Sequence, residues 1–377
     1  MLRVSVIGIG NAGGQVADLA AENSDIKAVA INASENDLNA IHNIPAILVG
    51  DKRGAGKDRK TAKEFIRKAA KIVLEKEELK GILNDADVLF VVSSTGGGTG
   101  SGMNPLLSDL LSKVYPGVKV ILIGILPKLS DSIASQQNTI EFLQEINGNE
   151  GLTYSLYDNE TVEGPLNTVL ETVNKTIVED ITAVTGVYQT ETNLSSIDER
   201  DELKILNTTG RLVLANVRNL REKDVDRVSI EEHLVGALKT NTQAELETDR
   251  IVKRRGVIAR MNSTLFKLFD PNLPKVKSAF GEPLEAFEHT VVDESATSLV
   301  YLLMAGLSMP DDRIIKIQQR IEEATAALSK KKESSVLDNM STTVIQELRQ
   351  EEVQEDTSSQ DVTTVDMDDI MSRYFNI

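Results

Sequence analysis

The chain has 377 residues, 41% of them hydrophobic, with 41 lysines and arginines against 58 acids and a formal net charge of −17. This is enough apolar material for a sizeable core and about two domains. With no cysteine, a disulfide framework, a thiolate nucleophile and a cysteine metal site are excluded.

No stretch reaches the roughly 18 apolar residues of a membrane helix. Residues 1–9 read as a strand, not as the charged head and apolar segment of a leader. A soluble, cytoplasmic protein without membrane contact is expected. Between Glu333 and Ile377 eleven acids face two bases, a balance of −9 that leaves −8 of the −17 to the rest of the chain. Such a surface disfavours direct binding to a polyanion, so any nucleic-acid contact is expected through a partner.

In chain order, Arg3–Ile7 reads as a strand, Gln15–Asn23 as a helix, Ile26–Ile31 as a strand and Thr61–Leu83 as helical. The strand Val88–Val92, the helix Pro105–Val114 and the strand Val118–Leu126 follow. Near-continuous Val/Ile/Leu strands alternating with helices predict a parallel sheet covered on both faces. Residues 163–186 read as one long helix, and Arg211–Ala215 opens a second α+β region reaching about Leu307. Asp311–Lys332 places Ile314, Ile317, Ile321, Ala324 and Leu328 on one helical stripe, with acids at its start and three lysines at its end, as the helix dipole favours. The Ser/Thr/Gln/acid-rich stretch after it predicts disorder until Val365, where apolar residues return.

Every glycine cluster in the first half follows a strand, where parallel sheets bind ligands. Gly8-Ile-Gly-Asn-Ala-Gly-Gly14 fits the dinucleotide pattern GxGxxG, but Asn32 stands where a ribose-binding acid should close the second strand, and Glu35 is a poor substitute. Gly50–Asp58 resembles a P-loop with its leading glycine one residue early and Asp58 in place of the magnesium-holding Ser or Thr. Gly96-Gly-Gly-Thr-Gly-Ser-Gly102 is the most specific cluster, a nest of backbone donors suited to phosphate, with Thr99 and Ser101 as further hydroxyl donors. His42, His233 and His289 lie far apart without ligand spacing and read as ordinary residues.

The third cluster resembles the signature of the tubulin/FtsZ superfamily of GTPases. Other positions match that family in order: Gly10, Asn11, Ala12, Gly13 and Gln15 as the first phosphate loop; Asn32 and Ala33 as the second-strand turn; and Gly54, Ala55, Gly56 and Lys57 as a basic phosphate loop. Gly96, Gly97, Gly98, Thr99, Gly100, Ser101 and Gly102 form the main cradle, with Pro127 after the next strand. Asn159, in "YDNE", and Asn174, on the long helix, match guanine-reading positions; an amide that both donates and accepts suits that edge. In "SSIDERDELKILNTTG", Asp198 and Asp201 match the acids that in relatives complete the next subunit's active site and polarise the attacking water.

The resemblance implies GTP/GDP and Mg2+ as ligands, self-association into filaments, and hydrolysis only on assembly. It implies a GTP-binding domain 1–162, a central helix 163–186, a catalytic loop with its following helix 187–209, a second α+β domain 210–307, a C-terminal helix 308–332 and an acidic tail 333–377. Pro127–Ser132 lacks the Phe, Glu and Arg pattern of cell-division FtsZ, Ser196 replaces the Asn usual before the loop acids, and the ending lacks the FtsZ tail. "AGKDRKTA", "TGGGTGSGMNP", "GILPK" and "DMDDIMSRYF" are most similar to the TubZ-type tubulins of plasmids and phages. That likeness implies DNA segregation through a TubR-like DNA-binding adaptor on residues 361–377, with centromeric DNA contacted only indirectly. A phage-spindle or FtsZ-like division filament shares the same chemistry, and a nicotinamide-dependent Rossmann enzyme is the distant alternative.

Overall fold

The computed structural model describes residues 2–186, 199–225, 228–247, 251–294 and 297–333. The catalytic-loop residues through Asp198, Ser196 among them, and the tail from residue 334 lie outside them. The first half runs β1 Val4–Ile9, α1 Gly10–Asn23, β2 Lys27–Asn32, α2 Glu35–Leu38, β3 Ala46–Leu48, α3 Arg59–Glu75 and α4 Glu77–Leu83. It continues with β4 Val88–Ser94, α5 Thr99–Val114, β5 Lys119–Leu126, α6 Ile133–Asn147 and β6 Thr153–Asp158. After a short 3-10 turn comes α7 Leu166–Gly186. The remainder is α8 Glu199–Leu206, β7 Gly210–Arg218, α9 Glu222–Val225, α10 Ile230–Thr240, β8 Val252–Met261, α11 Ser263–Phe266, α12 Pro274–Phe280, β9 Pro283–Val292, β10 Leu299–Leu307 and α13 Asp311–Glu333. The chain divides into two compact units, 1–319 and 320–377; in the second, the described part is helical, residues 320–333.

Among the described residues the strands form one sheet in the order β3-β2-β1-β4-β5-β6-β7-β10-β8-β9. From β3 to β7 neighbours are parallel; β10 is antiparallel to both β7 and β8. Alternation along β1 and β4 builds two layers. Val4, Val6, Val88, Phe90 and Val92 pack with α1 and α7, whereas Ile7, Ile9, Leu89 and Val91 pack with α3, α4 and α5. With both faces covered, every residue of β1 is buried, which is why it reads as a continuous apolar run. A third cluster joins the later strands to α10, α11 and α12.

The ladders are uneven. β5 and β6 register over six residue pairs and β10 and β7 over eight, but β6 and β7 over two, Thr153↔Gly210 and Tyr154↔Arg211.

Some boundaries depart from the sequence pattern. α1 and α5 start inside the glycine clusters, at Gly10 and Thr99 rather than at Gln15 and Pro105. Glycine lowers helix propensity, but both helices are packed against strands, and packing prevails. The stretch 61–83 is two helices, broken at Lys76, whose backbone is extended. The helix α6 has no counterpart in the sequence reading.

Candidate nucleotide-binding site

The loops singled out from sequence follow the carboxyl ends of β1, β2, β3, β4 and β5, and Asn159 follows β6. The sheet order reverses direction between β1 and β4, and this switch point is where doubly wound sheets open a crevice. Gly10 and Gly100 face each other there: a Cβ on Gly10 would lie 3.1 Å from the Gly100 nitrogen, and its φ of 74° favours glycine. Asn11 Oδ1 accepts a hydrogen bond from Gln15 Nε2 at 3.3 Å, and Ala12 is half-buried beside them. Gly13 has a structural reason as well: a Cβ there would meet the Val92 carbonyl oxygen at 2.1 Å.

The second turn is stitched to the third loop. Asn32 is buried; its Nδ2 donates to Asp37 Oδ2 at 3.1 Å and its Oδ1 accepts from the Ser34 amide at 3.1 Å. The Ala33 carbonyl accepts from the Gly54 amide at 2.9 Å. Ala55 is buried, and Gly54, Gly56 and Lys57 all have positive φ. Asp58 is the N-cap of α3, accepting from the Lys60 amide at 2.8 Å and from Thr61 Oγ1 at 2.7 Å. The hydrogen bond from Thr61 leads the interactions that hold its carboxyl below the usual range. That capping role explains an acid at the position where a P-loop has a metal-holding hydroxyl.

The loop 96–102 packs directly on the third loop. A Cβ on Gly98 would lie 2.9 Å from the Asp58 nitrogen and 2.9 Å from Lys57 Cα, whereas one on Gly97 would meet nothing within 4 Å. The Ser101 hydroxyl, fully buried, donates to the Gly97 carbonyl, and Gly102 donates through its amide to the Gly98 carbonyl at 3.0 Å. Asn138 of α6 fastens both loops: its Nδ2 donates to the carbonyls of Lys57 at 2.9 Å and of Gly96 and Gly97 at 3.2 Å each. Arg59, also buried, reaches the Ser101 carbonyl at 3.0 Å and the carboxylates of Glu145 at 2.7 Å and Glu141 at 3.2 Å. Sequence patterns alone single out neither Asn138 nor Arg59, because their partners lie 41 to 86 residues away.

On the far side, Pro127 and Asp158 meet the start of α13. Arg313 donates to the Pro127 carbonyl at 2.7 Å and to both Asp158 oxygens, at 2.5 and 3.1 Å. Next to Asp158, Asn159 is 9% exposed and its buried Oδ1 has no partner. Asn174 and Gln15 line one cavity of about 810 Å³ between α1 and α7, shared with Asp18, Lys175 and Arg218. Asp201 stands apart. It lies in α8, whose carboxyl end is tied by the Thr208 carbonyl to Thr153 Oγ1 at the amino end of β6, the opposite edge of the sheet from the glycine loops.

One buried acid lies outside these loops. Asp180 of α7 accepts from Tyr157 at 2.8 Å, Asn216 at 3.3 Å and Gln243 at 3.4 Å, and its carbonyl accepts from Tyr301 at 3.0 Å. Burial pushes its carboxyl up to about 7.

Sheet order, central helix and glycine cradle define a tubulin/FtsZ-like fold. Residues 3–164 match the model of the Tubulin/FtsZ family, GTPase domain. Among curated relatives, "Tubulin-like protein CetZ" of Pyrococcus abyssi is 27% identical over 240 residues, 61% of this chain and 66% of its own length. "Tubulin-like protein TubZ" of Clostridium botulinum C phage is 28% identical over 250 residues, 64% and 65% of the two chains. The chain thus spans just under two thirds of the length of these relatives. A crystal structure of a GTPγS-form protofilament of Bacillus thuringiensis serovar israelensis TubZ superposes with a TM-score of 0.72 at 19% identity, covering 88% of this chain and 94% of that one. Among the described residues, no helix is long and apolar enough to cross a membrane.

Proposed function

We propose that the chain is a GTP-binding, filament-forming GTPase whose hydrolytic site is completed by the next subunit. The observation that carries this reading is the gathering of five glycine- or turn-containing loops and Asn159 at the carboxyl ends of six parallel strands. The unpartnered Asn159 Oδ1 fits the ligand: guanine presents N–H donors on its pairing edge, and a buried acceptor without a donor is costly to leave unpaired. Gln15 of α1 and Asn174 of α7, on one cavity, add two further amides.

Backbone amides of the cradle, already oriented, stabilise the charge that develops on the phosphates. The Lys57 ammonium adds a positive charge beside them. Asp201, with Asp198 from outside the described residues, is proposed to orient and polarise the attacking water of the neighbour's site. The placement of α8's carboxyl end across the sheet from the glycine loops supports a head-to-tail arrangement, in which one chain's acids meet the next chain's phosphates. Holding nucleophile and phosphate together can contribute about 7–11 kcal/mol. Mg2+ bound with the nucleotide would neutralise charge on the phosphate oxygens. Among the described residues no group of three acids or histidines forms a metal cage, which suits an ion carried mostly by phosphate and water.

As cargo we propose plasmid or phage DNA, held through a DNA-binding adaptor on residues 361–377, in the cytoplasm. The acidic ending and the similarity to the phage TubZ support this. Similarity to "Cell division protein FtsZ 1" of Methanocaldococcus jannaschii favours a second reading, a division or positioning filament with the same chemistry. Capture of a small basic DNA-binding protein by residues 361–377 supports the first, and capture of a division or membrane-anchor protein the second.

The test of the enzymatic reading is phosphate release from GTP against protein concentration, beside Asp201→Ala. Specific activity should rise above a threshold concentration, and the variant should assemble without turnover. Activity per molecule that is flat with concentration and untouched by the substitution would refute the shared site.

A further inference from the structure

The helix that leaves the glycine cradle carries a proline in its interior: Pro105 lies inside the 16-residue α5, Thr99–Val114. An α-helix bonds each amide to the carbonyl four residues before it, so the amide that Pro105 lacks is the one that would donate to Ser101. The Ser101 carbonyl belongs to the cradle itself. It lies in the opening turn of α5, where the amides of Thr99, Gly100 and Ser101 have no acceptor within the helix and are left to a ligand.

Arg59 replaces the missing donor. Its Nη2 donates to the Ser101 carbonyl at 3.0 Å, and the residue is 3% exposed. The same guanidinium is held by the carboxylates of α6, Glu145 at 2.7 Å and Glu141 at 3.2 Å, and Lys63 also reaches Glu145, at 2.9 Å. Close backbone approach keeps α3 and α5 in this register: a Cβ on Gly102 would lie 2.7 Å from the Arg59 carbonyl oxygen and 2.8 Å from Ala62 Cβ. An ion pair that served stability alone would need only the two glutamates. The third bond falls on the carbonyl that Pro105 deprives of its helical donor. A planar fork can serve carboxylate and carbonyl at once, whereas a lysine ammonium is a single point of charge.

We infer that Arg59 is a positioning residue for the phosphate cradle: by standing in for the amide that Pro105 lacks, it keeps the opening turn of α5 helical and the amides of Thr99, Gly100 and Ser101 directed at the bound nucleotide. This deepens the proposed function and rests on it. Arg59 acts through Ser101 and not by touching the phosphates, so its effect depends on which residue stands at position 105.

The experiment is a double-mutant cycle on the full chain, because Pro105→Ala gives the Ser101 carbonyl a backbone donor again. GDP and GTPγS affinities are measured by calorimetry, below any assembly threshold, for wild type, Arg59→Met, Pro105→Ala and the double variant. Amide hydrogen exchange of residues 102–104 is read on the same samples without nucleotide. In the wild-type background Arg59→Met should weaken both nucleotides about tenfold and speed exchange in that turn. In the Pro105→Ala background the same substitution should weaken them by less than about threefold and leave exchange nearly unchanged. Melting temperature should fall in both backgrounds, since Glu141 and Glu145 lose their partner either way, so lost stability alone does not reproduce the pattern. Should Arg59→Met not fold, Arg59→Lys in the same two backgrounds is expected to show the same dependence on position 105 at smaller size. Equal losses of affinity in the two backgrounds, or full affinity in Arg59→Met itself, would overturn the inference while the nucleotide site stands. A folded wild type that bound neither nucleotide would overturn the proposed function first, and this inference with it.

Discussion

Arg313 and Asp158, 155 residues apart, form a buried ion pair with Nε 2.5 Å from Oδ2 and side chains 4% and 3% exposed. A charge so deeply placed depends on its partner. Arg313→Ala should therefore destabilise the fold by about 3–5 kcal/mol, because it leaves the carboxylate buried and uncompensated. Adding Asp158→Asn to that variant should recover part of the loss. Urea denaturation of the two variants checks both statements. No recovery in the double variant would mean that the Pro127 carbonyl, which also loses its donor, carries the larger share.

Asp180 makes stability depend on pH. Its carboxyl, pushed up to about 7 by burial, holds a proton more tightly in the folded state than in the unfolded chain, where the ordinary value is near 4. Below about pH 4 both states are protonated and the group contributes nothing. As pH rises from there, stability falls, and the penalty levels off above about pH 7. Asp180→Asn should remove this slope, so that its stability relative to wild type rises by roughly 2 kcal/mol between pH 5 and pH 8. Chemical denaturation at the two pH values reads it, and an unchanged difference would show that the carboxyl titrates normally.

Adjacent glycines should respond in opposite ways. Gly98→Ala drives a methyl against the backbone of Lys57 and Asp58 and should cost about 1–3 kcal/mol of stability. Gly97→Ala meets open space and should fold as stably as wild type. If that space belongs to a phosphate, Gly97→Ala loses nucleotide affinity without losing stability. Melting temperature and nucleotide titration on the same two samples separate the effects.

Asn138 offers a third lever. Its amide nitrogen serves three carbonyls across two loops, and Asn138→Ala should cost about 1–3 kcal/mol by stranding them. Asn138→Asp should be worse, since a carboxylate would face carbonyl oxygens. Nucleotide affinity should fall in both. Affinity unchanged in a destabilised Asn138→Ala would mean that the loops keep their geometry without it.

The sequence made the loops legible because their signals are local. Apolar runs such as Val88–Val92 mark buried strands, and a glycine cluster after each marks the ligand edge. Asn159 stood out only through the family resemblance of "YDNE"; the strand β6 before it was not read from the sequence. Arg313, Arg59 and Asn138 were not legible, since each acts on a partner brought near only by the closed sheet. An arginine on an amphipathic helix otherwise reads as solvated. Asp58 shows the converse: its mismatch to a P-loop was plain in the sequence, but its role as a helix cap needed coordinates.

The two-pair ladder between β6 and β7 has one more consequence. Direct backbone pairing between the two strands is short, and the rest of β6 bonds instead to the segment 242–244, through the Asp158 amide to the Thr242 carbonyl and the Ala244 amide to the Leu156 carbonyl, each 2.8 Å. Side chains then tie that segment and β6 to β7: Asp180 with Tyr157, Asn216, Gln243 and Tyr301, and Arg211 on the carbonyls of Ala244 and Glu245. A seam of this kind is heritable one codon at a time. Lineages can stiffen or loosen it by single substitutions while the flanking ladders, and the loops they carry, stay unchanged.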